Sequence, residues 1–473
     1  MSALSTVAIL GGGFSGAALA VHMARLSAVP LDIRIVEPRP QVGGGLAYST
    51  ADPDHRVNGP IDILVLFGDD PGHFGRWYDA SGERAGDPDA LAQTGQLYCR
   101  RSSFGRYMRD LVDVHAAGNA SGSTIAHVAD RAVDVIPAGD GYRVALESGG
   151  AFAADRVFLT VAHEQPAIPG PFRALARHDG FVADPWAAEA LARLPDDGDV
   201  LILGSALTTA DVAATLLRSG RRARITVISR RGLRPREQGV LPPAAERLAK
   251  MALKPPGFIR RHGIPDRARI SLRRAREEIA ELEARGEGWQ SAFDDLRDAA
   301  PLLWRNLSDH ERRRTLRHLR AFYDVHRFRI APQIAAILRR AEADGRLAFL
   351  RARVEAVNAE GGQLAIRYRP RGGDAASSLR VRGVVNCTGP NADIGASGNP
   401  LIAALAARGL IRPDPSGAGV DIDDECRAVD RSGTPSDRLR VIGPLTRGHF
   451  GDLVAIPHIN TQILGVLGAL PAR

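Results

Sequence analysis

The apolar run Val7-Ala8-Ile9-Leu10 leads straight into Gly11-Gly12-Gly13-Phe14-Ser15-Gly16 and the small-residue stretch Ala17-Ala18-Leu19-Ala20. A second apolar run, Ile33-Arg34-Ile35-Val36, ends in Glu37, 21 residues beyond Gly16. This is strand, glycine turn, helix, strand, acid, a pattern that admits few folds. Gly11 makes the tight turn, Gly13 lets the backbone approach a pyrophosphate, and Gly16 lets helix and strand pack closely. The helix N-terminus then faces the phosphates, with Phe14 and Ser15 on its first turn. An acid at the position of Glu37 can hydrogen-bond a ribose hydroxyl. Glycine turns alone are weak signals, but here strand, helix and acid all stand in the required places, so the segment reads as a dinucleotide site.

A second unit starts after Asp199. The strand Val200-Leu201-Ile202-Leu203 precedes Gly204-Ser205-Ala206-Leu207-Thr208-Thr209, then a helix, then the strand Ile225-Thr226-Val227-Ile228 ending in Ser229-Arg230-Arg231. The glycine pattern is degraded, with Ala206 at the second position and Thr209 at the third. The ending carries more information. An acid would repel a 2′-phosphate, whereas arginine pairs with it bidentately, so this unit favours NADPH over NADH. The blander reading is a surface turn with incidental arginines.

Both units continue alike. Residues 125–128, 142–146 and 156–160 read as a meander of strands after the first, and 347–350, 364–368 and 384–388 repeat the theme after the second. Between them, residues 240–345 read as a charged, mostly helical insertion, with an exposed helix over 273–285 and Ser308 and Glu311 at capping-box spacing. Its role is a scaffold, a homo-oligomer surface or a cover over the active site. The expected fold is α/β, with two Rossmann-like dinucleotide-binding domains and the helical insertion. The expected division is 1–165 for the first part of one dinucleotide-binding domain, 166–239 and 346–383 for the second, inserted one, 240–345 for the insertion, and 384–473 for the second part of the first domain.

Composition narrows the class. No run of eighteen apolar residues suggests a membrane span, and the first strand begins too early to leave room for a signal peptide. Cys99, Cys387 and Cys426 are isolated, with no C-x-x-C pair and no zinc spacing, which fits a reducing cytoplasm and argues against disulfide chemistry. The net charge of +8 suits an anionic cofactor. The arginines are scattered and not interleaved with aromatics, so nucleic-acid binding is not expected.

Several further stretches carry a family likeness: Gly45-Leu46-Ala47-Tyr48-Ser49-Thr50, His55-Arg56-Val57-Asn58, Asp70-Pro71-Gly72-His73-Phe74-Gly75-Arg76-Trp77 and Arg101-Ser102-Ser103-Phe104-Gly105-Arg106-Tyr107. Arg317-His318-Leu319-Arg320, Tyr323-Asp324-Val325-His326-Arg327, Asn386-Cys387-Thr388-Gly389-Pro390 and Val441-Ile442-Gly443-Pro444-Leu445 complete the set. Through these, nearly the whole chain resembles the FAD–NAD(P)-binding flavoproteins close to class B flavin monooxygenases and N-hydroxylating monooxygenases. The resemblance implies FAD in the first unit and NAD(P)H in the second, where the strand-end arginines favour NADPH. It places Gly44 and Gly45 near the flavin or its pyrophosphate and Asn58 near the isoalloxazine. Gly389, Gly443 and Asp452 would close the cofactor sites, with a helix over 455–467 aimed at the flavin. Asp452 reads equally as a helix cap. Two departures stand out: Ala206 in the nicotinamide turn, and His458 where the resemblance leads one to expect an acid.

Flavin carries the redox chemistry and the protein supplies orientation and electrostatics. The leading expectation is a flavin monooxygenase that uses molecular oxygen, forms a C4a-hydroperoxyflavin and hydroxylates a small-molecule nucleophile such as an amine or amino-acid nitrogen. A reductase or dehydrogenase passing electrons to a small acceptor is the second reading, and a non-catalytic flavin-binding redox sensor the third. Asn58 and His458 are the candidate catalytic residues. His55, His326 and His449 also lie in or near these stretches and could shuttle protons, though each reads better as a structural hydrogen-bonder. The linker Phe181-Val182-Ala183-Asp184-Pro185-Trp186 is a poor match to the monooxygenase linker motif and reads better as interface packing.

Overall fold

A computed structural model describes residues 4–162, 164–187, 189–220, 223–252 and 254–469. Strand β1 (Ser5–Leu10) is buried on both sides over its last four residues, as a strand inside a parallel sheet must be. Helix α1 (Phe14–Leu26) is buried from Phe14 through Ala24, because it is covered by the sheet on one side and by other helices elsewhere. Strand β2 (Leu31–Val36) pairs with β1 in parallel register. A long excursion follows, with α2 (Gly45–Tyr48), α3 (His73–Ala80) and α4 (Arg101–Ala117). Then come β3 (Thr124–Val128), β4 (Ala132–Ala138), β5 (Gly141–Leu146), β6 (Ala151–Ala154) and β7 (Arg156–Leu159).

The second unit is β8 (Phe181–Val182), β9 (Val200–Leu203), α5 (Leu207–Arg218) and β10 (Ile225–Ser229). The insertion is helical as its composition suggests: α6 (Ala244–Ala252), α7 (Gly257–His262), α8 (Ala268–Ala284), α9 (Gln290–Arg305), α10 (Asp309–His318), α11 (Arg320–Arg327) and α12 (Pro332–Ala343). Ser308 caps α10, its hydroxyl accepting from the Glu311 N–H. Strands β11 (Leu347–Glu360), β12 (Gln363–Pro370), β13 (Ser377–Val381) and β14 (Gly383–Asn386) follow. The chain ends with α13 (Pro400–Arg408), β15 (Arg427–Val429), β16 (Pro435–Val441), α14 (Arg447–Phe450) and α15 (Ile456–Ala469).

Two large sheets result. The first has the order β15-β16-β7-β1-β2-β3, and the second β13-β12-β11-β10-β9-β14-β8. In each, a strand–helix–strand unit is followed by a later strand that returns beside the first, so the crevice above the strand ends is where a dinucleotide binds in this class. Two expectations need correction. The stretch over 125–160 is not one meander: β3 pairs in parallel with β2 and β7 with β1 in the first sheet, while β4, β5 and β6 make a separate antiparallel sheet. A boundary at residue 384 would also send β14 to the first sheet. Its parallel bonds to β9 and β8 keep it in the second.

Candidate functional site

The first glycine turn is built by close approach. Gly11 has φ +113°, and a Cβ there would fall 2.9 Å from the Thr160 carbonyl carbon. A Cβ on Gly16 would fall 2.0 Å from the Gly11 oxygen, and one on Gly45 2.8 Å from the Gly13 Cα. No side chain caps α1, whose N-cap is Gly13, so its first N–H groups are left for a ligand. Buried Glu37 accepts from the Gly12 N–H at 2.9 Å through Oε2 and from the Arg39 N–H at 3.1 Å through Oε1. Gly443 reaches the turn from the far end of the chain: its N–H donates to Gln462 Oε1 at 2.8 Å, and a Cβ would fall 2.6 Å from Ser15 Oγ.

The second turn has the same outline and different parts. Gly204 has φ +98°, and a Cβ there would fall 2.2 Å from the Cys387 oxygen. Thr209 replaces the third glycine, and its hydroxyl donates to the Gly204 carbonyl at 3.0 Å. The N-cap of α5 is Ala206, again without a side-chain cap. At the strand end, Ser205 Oγ donates to Ser229 Oγ at 2.9 Å, and exposed Arg230 follows.

One large cavity, of about 2070 Å³, joins the two. Gly11, Gly13, Phe14, Ser15, Glu37, Gly44, Gly45 and Asn58 line it from the first unit, and Leu207 and Thr208 from the second. The stretch around the start of α15, including His458, closes one side. Residues of the insertion, among them Arg247, Gln290, Asp294, Arg297, Arg327 and Arg329, form another wall. The insertion is fastened over this opening. Leu241 and Gln96 exchange two hydrogen bonds at 3.1 and 3.2 Å, Arg247 pairs with Asp62 at 2.9 Å, and Trp304 Nε1 donates to the Gly448 carbonyl at 2.6 Å. Of the three roles open to the insertion, this arrangement favours the cover.

Residues 8–164 match the FAD–NAD(P)-binding family. The match lies on the unit that holds the first glycine turn. No curated protein matches the sequence. Among solved structures, the chain is similar to an L-lysine 6-monooxygenase from Pseudomonas syringae, with 17% identity, 99% of both chains covered and a TM-score of 0.64. It is also similar to an ornithine N-hydroxylase from Kutzneria sp. 744 with reduced FAD, NADP+ and L-ornithine, at 14% identity, 99% of both chains and a TM-score of 0.63. A bacillithiol disulfide reductase from Staphylococcus aureus follows at 12% identity, 99% of this chain, 98% of that one and a TM-score of 0.54. At these identities the likeness establishes the fold, two Rossmann-like sheets with helical additions.

Several expected residues, Gly389, Asp452 and Arg231 among them, are not part of the cavity wall. Gly389 has φ +94° and open space around it. Asp452 is buried, its Oδ2 accepting from Tyr323 Oη and Arg327 Nε, both at 2.8 Å, so this oxygen ties two residues of the insertion to the C-terminal part of the chain. Burial pushes this carboxyl up, and Arg327, His458 and Tyr323 together outweigh that and hold it below the ordinary carboxylate value. Arg231 is also committed elsewhere: it donates to the carbonyls of His318 at 2.7 Å and Arg317 at 2.9 Å and lies over the Phe322 ring. It clamps the end of α10 to the second unit, which leaves Arg230 as the exposed arginine of the pair.

Burial, with Arg327 adding to it, pushes His458 down to about 3. Its Nδ1 is buried without a partner. Burial also lowers His55 and His326. His55 shares its Nδ1 with Thr50 and its Nε2 with Thr215, and the Trp186 ring meets it edge-on. Phe181 stacks on Phe172, so the linker packs between elements as its aromatics suggest. His449 pairs with Asp424 at the surface. All three cysteines are free and buried, and burial raises their thiols. Among the described residues no group of three His, Cys, Asp or Glu side chains is placed to hold a metal ion, and no helix is long and apolar enough to cross a membrane.

Sequence reasoning missed Arg101 and Asp211. Both line the cavity and pair with each other, Arg101 Nη1 lying 2.8 Å from Asp211 Oδ2. Arg101 also reaches Asn58 Oδ1 at 3.5 Å. The only sequence signal is an arginine and an aspartate on buried helix faces, where unpaired charges are rare.

Proposed function

We propose that this chain is an FAD-dependent, NADPH-using oxidoreductase that works as a monooxygenase, hydroxylating a small nucleophile such as an amine or amino-acid nitrogen with molecular oxygen. One observation carries the reading: two unlike nucleotide turns open onto a single cavity that a helical insertion covers. FAD fits the first turn, where Gly11 and Gly45 permit close backbone approaches that a Cβ would block and the α1 N-terminus is uncapped. In this reading Gly44, Phe14 and Ser15 help hold it, Glu37 orders the turn and meets the ribose, and Asn58 faces the ring. The nicotinamide dinucleotide takes Gly204, Ser205, Ala206, Leu207 and Thr208, with Ser229 and Arg230 reading the 2′-phosphate.

Bound flavin would accept a hydride and activate oxygen. The protein's share is placement and exclusion of water. The insertion shields the cavity, which strengthens every polar contact inside it. A neutral His458 can orient a group by hydrogen bonding and cannot act as a cationic acid near neutral pH. Three buried, high-pKa thiols argue against disulfide reduction despite the fold shared with a disulfide reductase. They suit a reducing cytoplasm. The test is an anaerobic reduction of the yellow protein with NADPH, followed by oxygen in the presence of candidate amines. A transient flavin–oxygen adduct and a hydroxylated product are expected. Fast reoxidation to stoichiometric peroxide, without adduct or product, points instead to a reductase. Failure of NADPH to bleach the flavin points to the non-catalytic module.

A further inference from the structure

Arg101 and Asp211 form an ion pair that neither nucleotide turn requires. Arg101 opens α4, and Asp211 lies on α5 one turn beyond Leu207 and Thr208. Arg101 Nη1 stands 2.8 Å from Asp211 Oδ2, and Nη2 donates to Oδ1 at 3.1 Å. Both side chains are buried. The same guanidinium donates through Nε to the Arg56 carbonyl at 2.9 Å, and Nη2 reaches Asn58 Oδ1 at 3.5 Å. One planar group therefore holds the loop that carries Asn58 and the helix of the second turn together.

A buried ion pair is a poor stabiliser, because desolvating two charges offsets most of their attraction, and apolar residues of equal volume often do as well. What the pair does impose is geometry, since an arginine fork meets a carboxylate in one plane. The rest of the helix face agrees. Asp211, Thr215 and Arg218 follow at helical spacing on one side of α5. Thr215 Oγ1 lies 3.0 Å from His55 Nε2 and donates to Asp52 Oδ2 at 2.6 Å. Arg218 pairs with Asp52 and Asp54, each at 2.6 Å. The helix is thus fastened to the 52–58 loop along its length.

We propose that Arg101 is a positioning residue: it fixes the N-terminus of α5, and the nicotinamide dinucleotide held there, in register with the flavin pocket at Asn58. This rests on the reading of the first turn as the flavin site and the second as the nicotinamide site. Arg101 itself moves no proton and no electron. It acts through Asp211 and Asn58. A chain fastened this way transfers hydride without turning one nucleotide unit against the other.

The test is stopped-flow anaerobic reduction of the FAD-loaded full chain over a range of NADPH concentrations, which separates the limiting rate from NADPH affinity. Arg101→Lys keeps a positive charge beside Asp211 and cannot span Arg56, Asn58 and Asp211 together. Its limiting rate should fall about 10- to 100-fold, with FAD content, thermal midpoint and NADPH affinity close to those of the wild type. Dithionite, which needs no nicotinamide, should reduce wild type and variant alike. Should Arg101→Lys fail to hold FAD, Asp211→Asn preserves size and carries the same expectation for the limiting rate, with a lower thermal midpoint because it leaves the Arg101 charge buried and unpaired. Variants that reduce at the wild-type limiting rate, or that slow equally with dithionite, overturn the proposal alone. A wild type that no nicotinamide bleaches overturns the underlying reading and the proposal with it.

Discussion

The two glycine turns solve one problem in two ways. In the first, Gly16 leaves the space that lets α1 press against the Gly11 carbonyl, where a Cβ would sit 2.0 Å away. In the second, Thr209 stands at the same offset and hydrogen-bonds the Gly204 carbonyl at 3.0 Å. The first excludes a side chain and the second employs one. The strand ends differ as sharply, with Glu37 buried against the backbone of its own turn and Arg230 exposed beyond Ser229. A degraded glycine pattern therefore still keeps the geometry of the turn. What survives in both is the positive-φ first glycine, the uncapped helix N-terminus and the opening onto the shared cavity.

That comparison can be broken or sharpened by experiment. The largest effect is expected at Gly16→Val, where the obstacle is backbone that cannot yield: destabilisation of at least about 4 kcal/mol and loss of bound FAD, read by thermal denaturation and flavin content. Thr209→Val removes only a hydrogen bond and should cost about 1–3 kcal/mol. Equal losses at the two positions would contradict the account of the turns. Next is Arg230→Ala, expected to weaken NADPH about 10- to 100-fold in equilibrium titrations while leaving NADH nearly unchanged. Equal weakening of both would remove Arg230 from the 2′-phosphate site. Arg231→Ala sharpens the contrast: it frees the end of α10, so it should lower the melting temperature and affect both nucleotides alike.

The smallest effect concerns pH. Burial and Arg327 push His458 from its ordinary 6.5 down to about 3, so the unfolded chain binds that proton more readily than the folded one. The stability held by the neutral imidazole is complete above pH 6.5 and is lost as pH falls from there toward 3. His458→Asn should flatten the dependence of melting temperature on pH across that window. An unchanged slope would mean that the imidazole is not held neutral.

Both nucleotide units were legible in the sequence because their signals are local: apolar strands, a glycine turn and a small-residue helix within some thirty residues. The Ser308 cap and the helical insertion were legible for the same reason. What was not legible depends on distant partners. The short strand β14 gives no hint in its own residues of which sheet it joins, since parallel pairing is settled across long crossovers. The pairing of Asp452 with Tyr323 and Arg327, the clamp made by Arg231 on α10 and the Arg101–Asp211 pair link residues far apart in sequence. Such pairs leave no periodicity to read, and each appears along the chain as one more charged residue among many.

The central claim is that two unlike turns hold two unlike dinucleotides across one cavity. A crystal structure of the chain soaked with FAD and NADP+ tests it most directly. The account predicts the FAD pyrophosphate on Gly11, Gly13 and the start of α1. It predicts the NADP+ pyrophosphate between Gly204 and Thr208 with its 2′-phosphate against Arg230, and the two rings meeting beside Asn58. Flavin in the second turn, or a nicotinamide dinucleotide in the first, would contradict it.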